Sequence, residues 1–129
     1  MIFDTDVLIW VFRGHEGAAQ LVERHQDRQI SLVTYAELIQ SARSRKELRE
    51  IKHFLNDHSF QTLPLTENIG HRASVYMEEY TLKTTLSLAD ALIAATAGEH
   101  HLTLCTANKK HYSAINELDM ETFRPGPDG

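Results

Sequence analysis

Three acidic residues stand at points of the chain where a metal-binding or catalytic site could form. Asp90 is the only charged residue in the apolar segment 86–97. Asp4 ends the short apolar stretch that begins the chain, and Glu37 opens an apolar helix pattern. A carboxylate among apolar neighbours loses its hydration at a cost of roughly several kcal/mol, unless a helix cap, a basic partner or a metal ion compensates it. Only the metal ion would imply chemistry.

Helix capping is the alternative explanation for two of these acids. The segments 34–37 and 87–90 both match the capping-box spacing, with a hydroxyl residue followed by an acid three positions later. A carboxylate in that position also gains about 0.3–1 kcal/mol from the helix dipole. Asp4 has no such explanation, and Asp6 adds a second acid two residues later. Capping and metal binding therefore both stay open.

Carboxylates of this kind suit a hard divalent cation. Magnesium in proteins usually takes one or two carboxylates, several waters and substrate phosphate oxygens. Carboxylates crowded into one pocket repel one another, so their pKa values should rise while no cation is bound. Such a site is typical of metal-assisted phosphodiester hydrolysis. The chain has no Cys or His cluster with zinc-ligand spacing, and the adjacent His100 and His101 would point apart at a helix end.

The composition is that of an ordinary globular protein. The chain has 129 residues, 42% hydrophobic and 24% charged, which indicates one domain with a sizeable core. No apolar run is long enough to cross a membrane, and Asp4 follows too soon after the start for a signal peptide. Cys105 is the only cysteine, which predicts a buried structural thiol in a reducing compartment. We therefore expect a cytoplasmic protein.

A net charge of −5 argues against a broadly basic surface for binding nucleic acid. Basic residues are nevertheless concentrated in one segment, at Arg43, Arg45, Lys46, Arg49 and Lys52. They are opposed there only by Glu47 and Glu50. The favoured interpretation is a solvated helix face with ion pairs three and four residues apart. The alternative is a ridge that contacts phosphates beside an acidic pocket.

Short apolar stretches alternate with helical patterns along the chain. The predicted strands are Met1–Asp4, Gln29–Leu32, Phe60–Leu63, Thr103–Thr106 and Met120–Phe123. The predicted helices are Val7–Phe12, Gly17–Gln26, Tyr35–Ser44, Lys46–Asn56, Glu67–Tyr80 and Leu88–His100. This alternation predicts an α/β fold, a three-layer α/β/α sandwich around a central, mainly parallel five-stranded sheet.

The predicted topology brings the candidate residues to one edge of the sheet. The carboxyl ends of parallel strands share an edge, and ligands bind in the crevice outside it. Asp4, Glu37, Asp90 and Asn108 each follow a strand or stand near the start of a helix. We therefore expect these four residues to face one crevice.

Four motifs, in chain order, resemble those of the PIN-domain family, and most of all its VapC-type toxins. They are Asp4-Thr-Asp-Val-Leu-Ile-Trp10 with Arg13-Gly14, then Thr34-Tyr-Ala-Glu-Leu38, then Leu88-Ala-Asp-Ala-Leu-Ile-Ala-Ala95, and finally Leu104-Cys-Thr-Ala-Asn108 with Tyr112. Each motif alone is weak, but their order and spacing over essentially the whole chain are specific.

The resemblance implies a catalytic metal site formed by Asp4, Glu37 and Asp90. Asn108 falls where relatives often carry Asp, so it would ligate weakly or through a water, and either one or two metal ions are compatible with the sequence. The polar residues that support the pocket in relatives align with Thr5, Asp6 and Thr106.

By the same resemblance, we expect a Mg²⁺- or Mn²⁺-dependent endoribonuclease that hydrolyses RNA phosphodiester bonds. It would be a homodimeric toxin, inhibited by a cognate antitoxin protein that inserts into the groove of the active site. The nuclease domain would occupy residues 1–124, with a flexible tail at 125–129. Arg43, Arg45, Lys46 and Arg49 are the candidates for contact with RNA, and the sequence does not specify which RNA is cut.

Other classes compete with this interpretation. The Asp4-Thr-Asp6 spacing resembles the start of haloacid dehalogenase-like phosphatases, but their later catalytic Lys and acidic motif have only a partial match here. A receiver-like signalling domain would need its phosphoacceptor Asp where this chain has Leu63-Pro64. The stronger alternative is a PIN-like module that binds RNA or protein without cleaving it.

Overall fold

The computed structural model describes residues 1–126, and its centre is a sheet of five parallel strands. The strands are β1 (Ile2–Phe3), β2 (Gln29–Ser31), β3 (Gln61–Leu63), β4 (Leu104–Thr106) and β5 (Met120–Thr122), in the spatial order β3-β2-β1-β4-β5. The helices are α1 (Thr5–Phe12), α2 (Glu16–Arg24), α3 (Leu32–Ser41), α4 (Arg45–Asp57), α5 (Glu67–Tyr80), α6 (Leu88–Glu99) and α7 (Lys109–Tyr112). The predicted parallel five-stranded sheet is confirmed.

Successive strand residues point to opposite faces of the sheet, so each strand contributes to two separate cores. Ile2 and Leu104 lie in the core beneath α5, α6 and α7, whereas Phe3 and Cys105 lie in the core beneath α1 to α4. Helices therefore cover both faces, and the predicted three-layer sandwich is confirmed. Cys105 is a buried thiol, as predicted, and burial raises its pKa to about 12.

The helix that carries Glu37 begins earlier than predicted. Ser31 ends β2 and caps α3, because its side-chain oxygen accepts a hydrogen bond from the Val33 backbone N–H at 3.0 Å. Thr34 is therefore buried inside the first turn of α3, and the prediction that it caps the helix is wrong. Glu37 stands one turn further along, on the helix that leaves the carboxyl end of β2.

The order of the strands creates a crevice at the carboxyl ends of β1 and β4. After β1 the chain builds β2 and β3 on one side of it, and then returns to place β4 and β5 on the other. In open α/β sheets, a ligand crevice forms where the strand order reverses in this way. Asp4 directly follows β1, and Thr106 ends β4. Both residues therefore stand at the mouth of this crevice.

The end of the chain leaves the sheet after β5, within the predicted domain 1–124. Pro125 and Gly126 have no regular secondary structure, and the Pro125 carbonyl lies 2.9 Å from His15 Nε2. The remainder of the predicted tail, residues 127–129, lies outside the described residues. Within residues 1–126, no helix is long and apolar enough to span a membrane.

Candidate active site

Asp4 is a buried carboxylate at the carboxyl end of β1, with 5% of its surface exposed. It caps α1, because Oδ1 accepts a hydrogen bond from the Thr5 backbone N–H at 2.9 Å. The expectation that Asp4 has no capping role is therefore wrong. Its other oxygen, Oδ2, accepts from two hydroxyls, Thr106 Oγ1 at 2.8 Å and the Tyr112 hydroxyl at 3.0 Å.

Burial and crowding both act on the acids of this edge. Burial, followed by the charge of Asp6, raises the pKa of Asp4 from 3.8 to about 7, against hydrogen bonds that lower it. Burial likewise raises the pKa of Asp6, and the Asp90 charge adds to that rise. The rise at Asp4 and Asp6 comes first from burial, and the repulsion that the sequence predicted is a smaller contribution to it.

Asp6 and Asn108 are in contact beside Asp4. Asp6 Oδ2 accepts hydrogen bonds from the Ala107 backbone N–H at 3.2 Å and from Asn108 Nδ2 at 2.8 Å. Asp6 Oδ1 is buried and has no hydrogen-bond partner among the described residues. A buried carboxylate oxygen without a donor is costly. The Asn108 amide therefore donates to one oxygen of Asp6, while the other oxygen has no hydrogen-bond donor among the described residues.

Asp90 is at once a helix cap and a residue of the site. Its backbone N–H donates to Ser87 Oγ at 3.1 Å, and its Oδ2 accepts from the Ser87 backbone N–H at 3.3 Å, which completes the predicted capping box. Oδ2 also lies 3.4 Å from His111 Nδ1. Oδ1 is 3.2 Å from the Tyr112 hydroxyl, the same group that donates to Asp4. Since this hydroxyl has one proton, it can donate to only one of the two acids at a time.

Glu37 reaches the site through a short chain of hydroxyls. Thr5 Oγ1 donates to Glu37 Oε1 at 2.6 Å, and Thr34 Oγ1 lies 3.0 Å from Thr5 Oγ1. Thr34 is buried, so its hydroxyl is fixed between α1 and α3. Thr5 therefore connects the acid on α3 to the edge of the sheet where Asp4 lies.

These residues line one cleft of about 480 Å³ at the carboxyl edge of the sheet. The predicted site residues among its lining are Asp4, Thr5, Asp6, Glu37, Asp90 and Asn108. Thr106 does not line the cleft and acts on it through its hydrogen bond to Asp4. Within residues 1–126, no three His, Cys, Asp or Glu side chains stand close enough together to hold a metal ion by themselves. The acids are thus spread along the cleft and joined by hydroxyls.

The basic segment lies apart from this cleft, before and along α4. Arg43 Nε is 3.7 Å from a Glu47 carboxylate oxygen, and Lys46 Nζ is 3.9 Å from one of Glu50. Those are the ion pairs expected of a solvated helix face. A role for this segment in binding RNA stays a prediction.

The family model of the PIN domain matches residues 1–117 of this chain. The chain belongs to the PIN-domain family. This PIN domain is 38% identical to Ribonuclease VapC10 of Mycobacterium tuberculosis, strain H37Rv, over 130 residues that cover 98% of the chain and 96% of the relative. The resemblance to VapC-type toxins is therefore confirmed, and the phosphatase and receiver interpretations are set aside.

Solved structures share the fold of this PIN domain. A toxin-antitoxin complex from Klebsiella pneumoniae matches with a TM-score of 0.81 and 30% identity, over 95% of this chain and 98% of the matched chain. VapBC2 from Rickettsia felis, bound to a DNA fragment from its promoter, matches with a TM-score of 0.82. That match covers 95% of this chain and 99% of the other, and its 20% identity shows the fold alone.

Sequence reasoning assigned no role to several residues that line or close the cleft of this PIN domain. Tyr112 is fully buried, and burial together with the Asp4 and Asp90 carboxylates raises its pKa far above the ordinary 10, so it stays protonated. Its signal in the sequence was its place in the last motif of the family resemblance, to which no role was attached. The lining residues without a predicted role are Ile9, Trp10, Arg13, Thr85 and His111.

The donor set fits a hard divalent cation. Every acid of the cleft offers carboxylate oxygens, which are the ligands that Mg²⁺ and Mn²⁺ favour. Asp6 Oδ1 is a buried carboxylate oxygen that no donor among the described residues satisfies, and a cation could satisfy it. Because Mg²⁺ needs only one or two carboxylates and keeps several waters, it does not require three acids to converge.

Proposed function

We propose that this PIN domain is a metal-dependent endoribonuclease and the toxin of a toxin–antitoxin pair. The observation that carries the proposal is a single cleft lined by Asp4, Asp6, Glu37 and Asp90. No Lys or Arg within residues 1–126 forms a salt bridge with any of them. Similarity to a ribonuclease over 98% of the chain supports RNA as the substrate.

The proposed cofactor is Mg²⁺ or Mn²⁺, held by Asp4, Asp90 and Glu37, with Asn108 taking part through a water. When bound, the ion would polarise the scissile phosphate and lower the pKa of an attacking water. Asp6 contributes negative charge next to Asp4 and so supports the same site.

The neutral side chains of the cleft hold these carboxylates in place. Thr106 and Tyr112 donate to Asp4, and Thr5 donates to Glu37. Hydroxyl donors fix the positions of the carboxylates and leave their negative charge in place. A Lys or Arg would fix the carboxylates as well, but it would also neutralise them. The cleft therefore keeps its negative charge available to a cation that arrives with the substrate.

The surface of α4 is proposed as a secondary contact with the RNA backbone. Arg45 and Arg49 are exposed and form no salt bridge among the described residues, while Arg43 and Lys46 are partly compensated by their glutamates. The salt dependence of RNA binding is measured as the slope of log binding constant against log salt concentration, which is roughly 0.7 per phosphate contact to a single strand. Replacing Arg45, Lys46 and Arg49 with Ala should lower this slope by up to about two units. An unchanged slope would leave only the solvated helix face.

Two protein partners belong to the proposal, a cognate antitoxin that covers the cleft and a second copy of this chain in a homodimer. The matched structures are themselves described as a toxin-antitoxin complex and as VapBC2, which supports the antitoxin. The proposed location is the cytoplasm, where the buried free thiol of Cys105 would stay reduced.

The direct test is RNA cleavage by the purified chain with Mg²⁺, with Mn²⁺ and with EDTA. The expected result is cleavage that requires the cation and that falls at least about 100-fold in Asp4→Asn, while the far-UV circular dichroism stays native. Asp27→Asn, which changes an exposed acid after α2, is the matched control and should keep full activity. RNA binding without cleavage at any cation concentration would reject the nuclease and favour an inactive binding module.

A further inference from the structure

Arg13 is the one Lys or Arg that lines the acid cleft within the described residues. It forms no salt bridge there, although four carboxylates line the same cleft. Its guanidinium carbon instead lies 5.7 Å from the centre of the Trp10 ring. A cation–π contact of this kind is weak at an exposed site. The guanidinium is therefore held near the acids and remains free to bind an anion.

The backbone fixes Arg13 at this position. Arg13 is the C-terminal cap of α1. The two residues after it close the helix with backbone hydrogen bonds. The Gly14 N–H donates to the Val11 carbonyl and the His15 N–H donates to the Trp10 carbonyl, both at 3.0 Å. This is the double hydrogen bond of a Schellman motif, which needs a left-handed residue in the turn. Gly14 supplies it with a φ of 85°. The Arg-Gly pair thus places an exposed cation at a rigid helix end.

Arg13 also stands between two concave surfaces. Together with Ile9 it lines both the acid cleft and a neighbouring groove of about 510 Å³ that runs between α1 and the start of α4. The groove is also lined by Phe12, by Arg43 and by the glutamates of the α4 ion pairs. An RNA strand cut at the acids must extend beyond the cleft, and Arg13 is the cation that the cleft shares with this neighbouring groove.

We propose that Arg13 and Trp10 form a nucleotide subsite beside the acid cleft, in which Arg13 binds an RNA phosphate next to the scissile one and Trp10 stacks on the adjacent base. The inference rests on the proposed function. A guanidinium matches the geometry of a phosphate with two parallel hydrogen bonds, and an aromatic ring accepts any base. The subsite would also supply the positive charge that brings RNA close to four carboxylates.

The chain provides its own probe, because Trp10 is its only tryptophan. In full-length Asp4→Asn protein, which should not cut the substrate, a short mixed-sequence single-stranded RNA should quench the Trp10 emission to saturation. Adding Arg13→Ala should weaken RNA binding about tenfold and reduce the salt slope by about 0.7, the value of one phosphate contact to a single strand. Arg13→Lys should recover the slope and only part of the affinity.

Arg24→Ala is the matched control, since Arg24 is also an exposed arginine at a helix end and does not line the cleft. Equal salt slopes in Arg13→Ala and Arg24→Ala would overturn the subsite. So would unchanged Trp10 emission while a labelled RNA shows binding by anisotropy. Polyglutamate that quenches Trp10 as strongly as RNA at equal ionic strength would make this a site for acidic peptides and would reject the RNA assignment.

Cleavage kinetics separate the subsite from the proposed function. In the otherwise wild-type chain, Arg13→Ala should raise KM about tenfold and act on kcat much less, because the contact is made to a flanking nucleotide. Cleavage with an unchanged KM in Arg13→Ala would reject the subsite and leave the nuclease intact. RNA binding that depends on Arg13, in a chain that cleaves nothing with either cation, would reject the nuclease and leave the subsite intact.

Discussion

Two groups of charged side chains, one at each end of α6, show two ways in which this fold surrounds a carboxylate. The cleft at the start of α6 holds four carboxylates with hydroxyl and amide donors around them. At the other end of α6, Arg72 Nε donates to Glu99 at 2.5 Å and Arg72 Nη1 donates to Glu117 at 3.0 Å. Tyr76 donates its hydroxyl to the same Glu117 oxygen.

The second group, which we name the Arg72 network, has a partner for each of its charges. The hydrogen bonds that Arg72 donates to Tyr76 and Glu99 raise its pKa above its already high value, so it is always charged. Burial and Glu117 raise the pKa of Tyr76 to about 12, so it stays neutral. Gly98 leaves the space that the Arg72 side chain crosses, since an added Cβ would stand 3.1 Å from Arg72 Cδ. Every charge of the Arg72 network has a partner, whereas the acid cleft leaves Asp6 Oδ1 without one among the described residues.

The difference should be largest in catalysis. Glu37→Gln and Asp90→Asn remove one charge each from the cleft and should each lower the rate of RNA cleavage by about 100-fold or more. Glu117→Gln removes one charge from the Arg72 network and should leave the rate unchanged. Full activity in both cleft variants, or an equal loss in Glu117→Gln, would remove the distinction between the two groups.

The pH dependence of stability should also separate them. Because the pKa of Asp4 is about 7 in the folded chain, against an ordinary 3.8, the folded state holds the proton more tightly than the unfolded state does. The stability that the protonated Asp4 contributes to the fold is fully present below pH 4 and is lost as the pH rises to about 7. In EDTA, the unfolding free energy of the wild type should therefore fall relative to Asp4→Asn over this range, by on the order of 4 kcal/mol at about 1.4 kcal/mol per pH unit.

The measurement is urea unfolding at several pH values between 4 and 8, with Asp27→Asn as the control for an exposed acid. A difference between wild type and Asp4→Asn that stays constant with pH would mean that Asp4 is not held in an unfavourable ionised form.

Breaking the Arg72 network should cost stability without affecting metal binding. Arg72→Ala leaves the partly buried Glu99 without its cation and should lower the unfolding free energy by about 2 kcal/mol. The increase in melting temperature caused by Mn²⁺ should be the same as in the wild type. A variant that loses this increase along with its stability would show that the two ends of α6 are coupled.

The smallest effect is expected at Asn108. Asn108→Asp replaces a donor to Asp6 by a fifth carboxylate. The lost hydrogen bond and the added repulsion should lower the free energy of unfolding in EDTA by about 1 kcal/mol, and the melting temperature with it. It should strengthen Mn²⁺ binding, because an added carboxylate is a stronger ligand than an amide. Unchanged calorimetric affinity and stoichiometry would indicate that position 108 lies outside the metal site.

The sheet could be predicted from the sequence because its strands are short apolar stretches between helical patterns. Residues Glu67–Tyr80 were predicted as a helix with the boundaries that α5 has. The start of α3 could not be placed, because Ser31 and Thr34 both offer a capping hydroxyl and only the folded backbone selects Ser31. Helix α7 has only four residues, too few to show the apolar periodicity from which a helix is predicted.

The acids of the site were predictable because parallel topology brings strand ends to one edge. Their partners were not. The hydroxyl of Tyr112 lies 108 residues from Asp4 along the chain and cannot be told from a core tyrosine in the sequence. Capping and metal binding were treated as alternatives for Asp90, yet the same carboxylate completes the capping box and reaches Tyr112. A side chain with two oxygens can serve both purposes.

Calorimetric titration of the purified chain with Mn²⁺ tests most directly whether the acid cleft is incomplete without a cation. The wild type and Glu117→Gln should bind Mn²⁺ with the same affinity and stoichiometry, and Asp4→Asn should lose at least about tenfold in affinity, which corresponds to about 1.4 kcal/mol. A wild type that binds no Mn²⁺, or an Asp4→Asn variant that binds it as tightly, would contradict the account.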